Sequence, residues 1–226
     1  MKYGLTLALD GSTYAGSVAL LRETEVIAEK QLAEVEKPGR SGREELFMPM
    51  VADCLRDGQV APRDLDRVIC GAGPGSFTSL RIAASIAKGI AVGASVPLLS
   101  VSSLALIVAD SGPNEGRWLA VLPAMRGEVY AALFEMKDGV LLEIEGPRII
   151  AETDVKKQAA VAEALLVGPA IVRGQNPHAR AVSSMLESIV SGGECDIDTW
   201  EPQYGRLAEA QVKWEAAHGR KLSASA

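Results

Sequence analysis

Residues 3–35 read YGLTLALDGSTYAGSVALLRETEVIAEKQLAEV. Three runs in this stretch, YGLTLALD, AGSVALLR and EVIAEKQLAEV, have the composition of strands. The residues between them, GSTY and ETE, leave room only for tight turns. The reading is a three-strand meander whose first strand ends on Asp10, with Gly11 and Ser12 opening the first turn.

Downstream, SGREELFMPMVADCLRDG carries Leu46, Phe47, Met50, Val51, Cys54 and Leu55 at helical spacing, an amphipathic stripe. Ser41 and Glu44 have capping-box spacing. A start there puts Pro49 inside the helix, where it removes a hydrogen bond; a start near Glu45 puts it among the free N–H groups of the first turn. The segment APRDLDRVICGAG predicts a turn and a strand, Ser76–Ala94 a long helix, PLLSV a buried strand and SSLALIVADSG a short helix closed by Gly112. GPNEGR reads as a hinge, which divides the chain into residues 1–111 and 112–226. The pattern then restarts, with strands WLAVLPAM, GEVYAALFEM and VLLEIEGPRII, helix ETDVKKQAAVAEAL, strand LLVGP and helix PHARAVSSMLESIV.

Three strands followed by helices and a further strand thus occur twice. This order resembles the duplicated α/β fold of actin, Hsp70 and the sugar kinases (the ASKHA fold), two subdomains each with a mixed sheet flanked by helices. The alternative is an ordinary α/β domain with a C-terminal extension.

The composition sets limits. The chain has 226 residues, 48% hydrophobic and 23% charged, enough to bury a sizeable core. A net charge of −6 without a dense Lys/Arg run argues against broad affinity for nucleic acid or anionic membranes. Cys54, Cys70 and Cys195 are far apart and odd in number, so neither a zinc ribbon nor a disulfide framework is suggested. His178 and His218 are too distant to form a metal cluster, which removes a metalloprotease from consideration, and both read as structural or solvent-facing. Residues 1–10 lack signal-peptide character and the apolar runs are short and interrupted, so the expectation is a soluble, cytoplasmic protein.

Two segments invite a nucleotide reading. In ALDGSTYAGSVAL, Asp10 with the turn residues Gly11 and Ser12 has the form of a phosphate hairpin, in which backbone N–H groups wrap phosphate beside a metal-side acid. The same residues equally supply ordinary turn geometry. GAGPGSFTSLR, residues 71–81, fits neither template: the P-loop Lys is missing, and Ser76 stands where a dinucleotide fingerprint needs its last glycine. Gly73-Pro74-Gly75 then reads as a sharp turn, with Ser76 capping the helix through the N–H of Thr78 or Ser79. In that helix Ser79, Ala83, Ala87 and Ala91 make a row of small side chains, and Leu80, Ile82, Ile86 and Ile90 add apolar bulk, so it can pack on two sides at once. The second half has Pro123 where a matching acid would stand, and HxxxH, HExxH and GxSxG are all missing. No catalytic constellation, metal site or cofactor is expected.

LALDGSTYAGSVAL, GAGPGSFTSLRIAASIAKGIA, MRGEVYAALF and EPQYGR together resemble the bacterial TsaB family, also called YeaZ, over most of the chain. The resemblance implies a non-catalytic subunit that binds and activates the related catalytic subunit TsaD. With the ATPase TsaE, the complex installs threonylcarbamoyl on the adenosine beside the anticodon of tRNA, so tRNA is met through the complex. It also implies a homodimer when the subunit is alone. The interface is placed on the two long helices, about Glu44–Arg56 and Ser76–Ala94, with Leu46, Phe47, Met50 and Cys54 on the first and Arg81, Ile82, Ser85, Ile86 and Ile90 on the second. Asp10, Gly11 and Ser12 would be a vestigial nucleotide site. The chain departs from the family at Arg43, often His, at Gly11, often Thr, and at Pro123, often Asp, and it is short after VGPAIVRGQN. The competing reading is an active actin-like ATPase or small-molecule kinase using Asp10. The four basic residues Arg206, Lys213, Arg220 and Lys221 near the C-terminus read as a solvated helix face.

Overall fold

The computed structural model describes residues 3–32, 46–112, 115–169, 171 and 175–205. The expected meander is present: β1 (Leu5–Asp10), β2 (Ser17–Arg22) and β3 (Glu25–Gln31) pair antiparallel, with Asp10 opposite Ser17 at the first turn. β4 (Arg67–Gly71) lies parallel beside β1, and β5 (Leu98–Val101) parallel beside β4, giving the order β3-β2-β1-β4-β5. The strand period of two separates the faces. Leu7, Leu9, Val18, Leu20, Val68 and Cys70 point to one side, and Ala8, Ala19, Leu21 and Ile69 to the other.

Two helices cover the first side, α1 (Phe47–Asp57) and α2 (Phe77–Ala94). α1 begins at Phe47, so Pro49 is its third residue and the N–H it lacks would have had no partner inside the helix. Ser41, Arg43 and Glu44 lie outside the described residues. Cys54 and Cys70 are packed in this core, where burial pushes the Cys54 thiol up to about 11 and raises that of Cys70 further. Both act as small hydrophobes. α2 is long and apolar enough to cross a bilayer, with mean hydropathy 1.2, but its row Ser79, Ala83, Ala87, Ala91 is buried within the fold.

The second sheet repeats the wiring. β6 (Gly116–Pro123), β7 (Glu128–Lys137) and β8 (Val140–Ala151) form a meander, α4 (Val155–Ala162) crosses over, and β9 (Ala164–Val167) lies parallel beside β6, in the order β8-β7-β6-β9. Among the described residues it has no counterpart of β5 and none of α2. This is the duplicated actin-like fold.

The two halves share their helices. α3 (Ser103–Asp110) sends Leu104, Ala105, Ile107 and Val108 to the second sheet and Leu106 to the first. α5 (Val182–Ser191) buries Val182, Leu186 and Ile189 against the first sheet. The layers are therefore α1/α2, first sheet, α3/α5, second sheet, α4. The sheets divide between β5 and β6, but α5 returns to the first sheet, and so do Cys195, Ile197 and Trp200, which pack on the α1/α2 side. Arg180 ties the junction, donating to both carboxylate oxygens of Asp110 at 2.7 and 3.0 Å. His178 is structural: it is buried, and its Nδ1 accepts from the Arg180 N–H at the turn before α5. His218 lies outside the described residues.

Candidate functional site

The hairpin between β1 and β2 is closed. Asp10 is fully buried, and the chain itself occupies both carboxylate oxygens: Oδ1 accepts from the N–H and hydroxyl of Ser12 at 3.0 and 2.6 Å, and Oδ2 from the Ser103 hydroxyl at 2.5 Å. Burial raises its carboxyl above the ordinary range, against the downward pull of the Ser103 and Ser12 hydrogen bonds. A side chain at Gly11 would sit 2.6 Å from the Ser79 carbonyl and 2.7 Å from Ala83 Cβ, so α2 rests directly on the turn. Gly75 touches Ser12 as closely, and the Ser76 N–H donates to the Ser12 carbonyl at 2.7 Å. The cavity that remains, between Tyr14, Phe47, Ser79 and Ile82, has about 10 Å³, room for about one water. Asp10, Gly11 and Ser12 come together as expected from their order, with the Asp10 carboxylate engaged by Ser12 and Ser103 and α2 packed against Gly11.

One local expectation is corrected. Ser76 stands at the N-cap of α2 with extended backbone, yet its side chain does not bond to Thr78 or Ser79 N–H; its hydroxyl meets the Ser79 hydroxyl at 3.1 Å. The turn before it is as sharp as predicted: the Gly73–Pro74 peptide is cis, and Gly73 has φ +87°.

The expected interface residues divide into two groups. Phe47, Met50 and Cys54 are buried against β1, β2 and α2, within the chain's own core. They are out of a partner's reach, and their assignment to a contact surface is corrected. A stripe at helical spacing reads the same whether it faces a sheet or a second protein, and here the sheet takes it. Leu46 is 51% exposed at the head of α1, with Met48 at 50% beside it. On α2, Arg81 and Ser85 are exposed, while Ile82, Ile86 and Ile90 are half-buried, resting partly on the α1 side of the core.

α2 thus has a buried small row, Ser79, Ala83, Ala87 and Ala91, and an outer row two residues on and so on the opposite side, Arg81, Ser85 and Gly89, followed by Val92, which is 64% exposed. A Cβ at Gly89 or Gly93 would meet nothing within 4 Å. Met48, Gly89 and Val92 were missed by sequence reasoning. The signal was there in the helical phase: once the small row is assigned to the sheet, these positions fall on the outside. The result is an exposed small-residue face on α2, Ser85 and Gly89 with Val92 beyond them, and Arg81 and Lys88 along it. Among the described residues no group of three or more His, Cys, Asp or Glu is arranged to hold a metal ion.

Comparison with known proteins gives the family. Residues 39–174 match the family model described as TsaD, tRNA N6-adenosine threonylcarbamoyltransferase. The chain is 30% identical to the tRNA threonylcarbamoyladenosine biosynthesis protein TsaB of Bacillus subtilis, covering 92% of this chain and 96% of that protein. It is 37% identical to the protein of the same name from Escherichia coli, over 57% of this chain and 54% of the relative. Among solved structures, YeaZ from Pseudomonas aeruginosa superposes with a TM-score of 0.75 at 26% identity, over 89% of this chain and 99% of that one. With a near full-length relative at this identity, the same duplicated sheets and the Gly71–Ser95 segment in its expected place, the chain belongs to the TsaB (YeaZ) family.

Proposed function

We propose that this chain is a non-catalytic subunit in the biosynthesis of tRNA threonylcarbamoyladenosine, holding and activating a TsaD-type transferase through the outer face of α2 and the head of α1. One observation carries the proposal: the turn that could serve ATP is packed directly against the chain's own helix, while Arg81, Ser85, Gly89 and Val92 on the outer side of that helix are exposed. The names of the relatives supply the pathway, and the likeness to the TsaD family model supports a partner built on the same fold. Close approach of a second helix is favoured where Ser85 and Gly89 remove side-chain bulk, and Leu46, Met48 and Val92 supply apolar area around it. A homodimer would use the same face and compete with the partner. TsaE and tRNA join through the transferase, in the cytoplasm.

The test is tRNA threonylcarbamoylation by TsaD and TsaE with and without this chain, together with pull-down of TsaD. Ser85→Trp is expected to leave circular dichroism and melting temperature unchanged, to abolish co-purification and to reduce modification to the level seen without the chain. Full-stoichiometry binding by Ser85→Trp would sink the assignment of the face. ATP turnover by the isolated chain, lost in Asp10→Asn, would establish the kinase-like alternative instead.

A further inference from the structure

A groove of about 350 Å³ runs between α2 and the segment 200–204, and the two cations on the outer face of α2 lie in its wall. Residues 195–204 are latched in place. The Cys195 N–H donates to the Leu98 carbonyl at 2.8 Å, the Gln203 N–H to the Ala72 carbonyl at 2.7 Å, and the Tyr130 hydroxyl to the Tyr204 carbonyl at 3.2 Å. Held this way, Tyr204 packs on Phe77 with ring centroids 4.5 Å apart. The Arg81 guanidinium lies over both rings, 4.9 Å from the Phe77 centroid and 5.9 Å from that of Tyr204, and the Lys88 ammonium stands 5.9 Å from the Trp200 ring.

Ring faces orient the cations without neutralising them. Among the described residues neither Arg81 nor Lys88 has a carboxylate within ion-pair distance. Lys88 is felt by Asp196, but that carboxylate is already engaged by the Thr199 hydroxyl and the Asp198 N–H. Glu201 lines the same groove and is exposed. Two aromatic-backed cations, without an ion-pair partner among the described residues, thus stand in one groove wall on a chain of net charge −6.

We propose that this groove receives a helix of the transferase partner that carries two carboxylates seven residues apart, one for Arg81 and one for Lys88. The proposal rests on the scaffold reading and adds to it the chemistry of the partner's contact. Arg81 and Lys88 are seven residues apart on α2, two turns or about 10.5 Å along the axis, so acids two turns apart on a helix laid alongside meet both. Ala84 and Ser85 lie between the cations, with Gly89 just beyond Lys88, and these small residues let the two backbones approach. A planar guanidinium held by rings is preorganised for a bidentate carboxylate. A second copy of this chain fits less well through α1: its acids Asp53 and Asp57 are four residues apart and already paired, with Arg56 and Lys30.

The experiment measures TsaD affinity calorimetrically for the wild type, Arg81→Ala/Lys88→Ala and Arg81→Lys/Lys88→Arg, each at 50 and 500 mM NaCl. The wild type is expected to bind about tenfold or more weakly at high salt, and the alanine pair to bind about tenfold or more weakly than wild type at low salt with most of the salt dependence gone. The charge-preserving pair should keep the salt dependence, which separates charge from fold. Wild-type affinity and salt dependence in the alanine pair overturn the groove while leaving the scaffold reading intact. No binding by the wild type overturns the scaffold reading and the groove with it. If the alanine pair instead loses affinity for tRNA or ATP and keeps that for TsaD, the groove is a site for those anions and the proposal is wrong. Should the alanine pair misfold, Lys88→Gln alone is read in the same way, with about half the loss of salt dependence expected.

Discussion

The two hairpins that open the two sheets have the same place in the topology and opposite fates. Between β1 and β2 most of the turn is buried, with Tyr14 exposed: Gly11 lies against α2, Ser12 against the Gly75–Ser76 entry to it, Asp10 against Ser103, and Gly16 against Phe47 of α1. Between β6 and β7 the turn is bare. Pro123 ends the strand where Asp10 ends the other, Met125 is 74% exposed, and Met125, Arg126 and Gly127 are all left-handed, at φ +69°, +58° and +73°. The second half lacks, among its described residues, any helix equivalent to α2. A turn covered by a helix needs small residues and a satisfied acid. An uncovered one tolerates a proline, a large apolar side chain and backbone strain. The difference indicates that α2 determines the first hairpin's character as much as the hairpin's own residues do.

Substitutions test this contrast most strongly where helix and turn touch. Gly11→Val drives a side chain into the Ser79 carbonyl and Ala83, and is expected to destabilise by more than about 3 kcal/mol, read by urea denaturation. Asp10→Ala leaves the buried donors of Ser12 and Ser103 without an acceptor, for about 2–3 kcal/mol. Its counterpart Pro123→Ala should change stability by no more than about 0.5 kcal/mol. Equal losses at the two positions would show that the hairpins are alike after all.

Asp10→Asn sharpens the point through pH. The Asp10 carboxyl is raised above its ordinary 3.8 by burial, so the fold favours its neutral form. The favourable contribution is complete below the ordinary value and is lost as pH rises through the raised one. The stability of the wild type relative to Asp10→Asn should therefore fall as pH is increased from about 4. A difference that stays constant with pH would mean the carboxyl is not protonated differently on folding. The bare turn gives the one effect of opposite sign: Arg126→Gly relieves a left-handed residue at φ +58° and should stabilise by about 1 kcal/mol.

The elements themselves were legible in the sequence. Near-continuous apolar runs of strand composition along β1, β2, β6 and β7, separated by short turns, identified both meanders, as strands with two buried faces require. The family segment Gly71–Ser95 identified the fold's second long helix and its entry turn. The position of α1 was left open by Pro49 and settled by a helix that starts at Phe47. The candidate site was legible only in part. Arg81 and Ser85 were placed on the outside, but Phe47, Met50 and Cys54 were not recognised as core. The rings that orient Arg81 and Lys88 come partly from residues 200–204, more than a hundred positions away.

By itself, then, the sequence determined the periodicity, the repeated strand order and the family, since these depend on residues close together in the chain. Only the tertiary structure decided which side of each helix is inside, that Asp10 is satisfied by Ser103, and that α5 and the 195–204 segment return to the first sheet. Helical and strand periods report that a face is apolar and cannot report what covers it. That depends on contacts between distant segments, which form once the layers have packed.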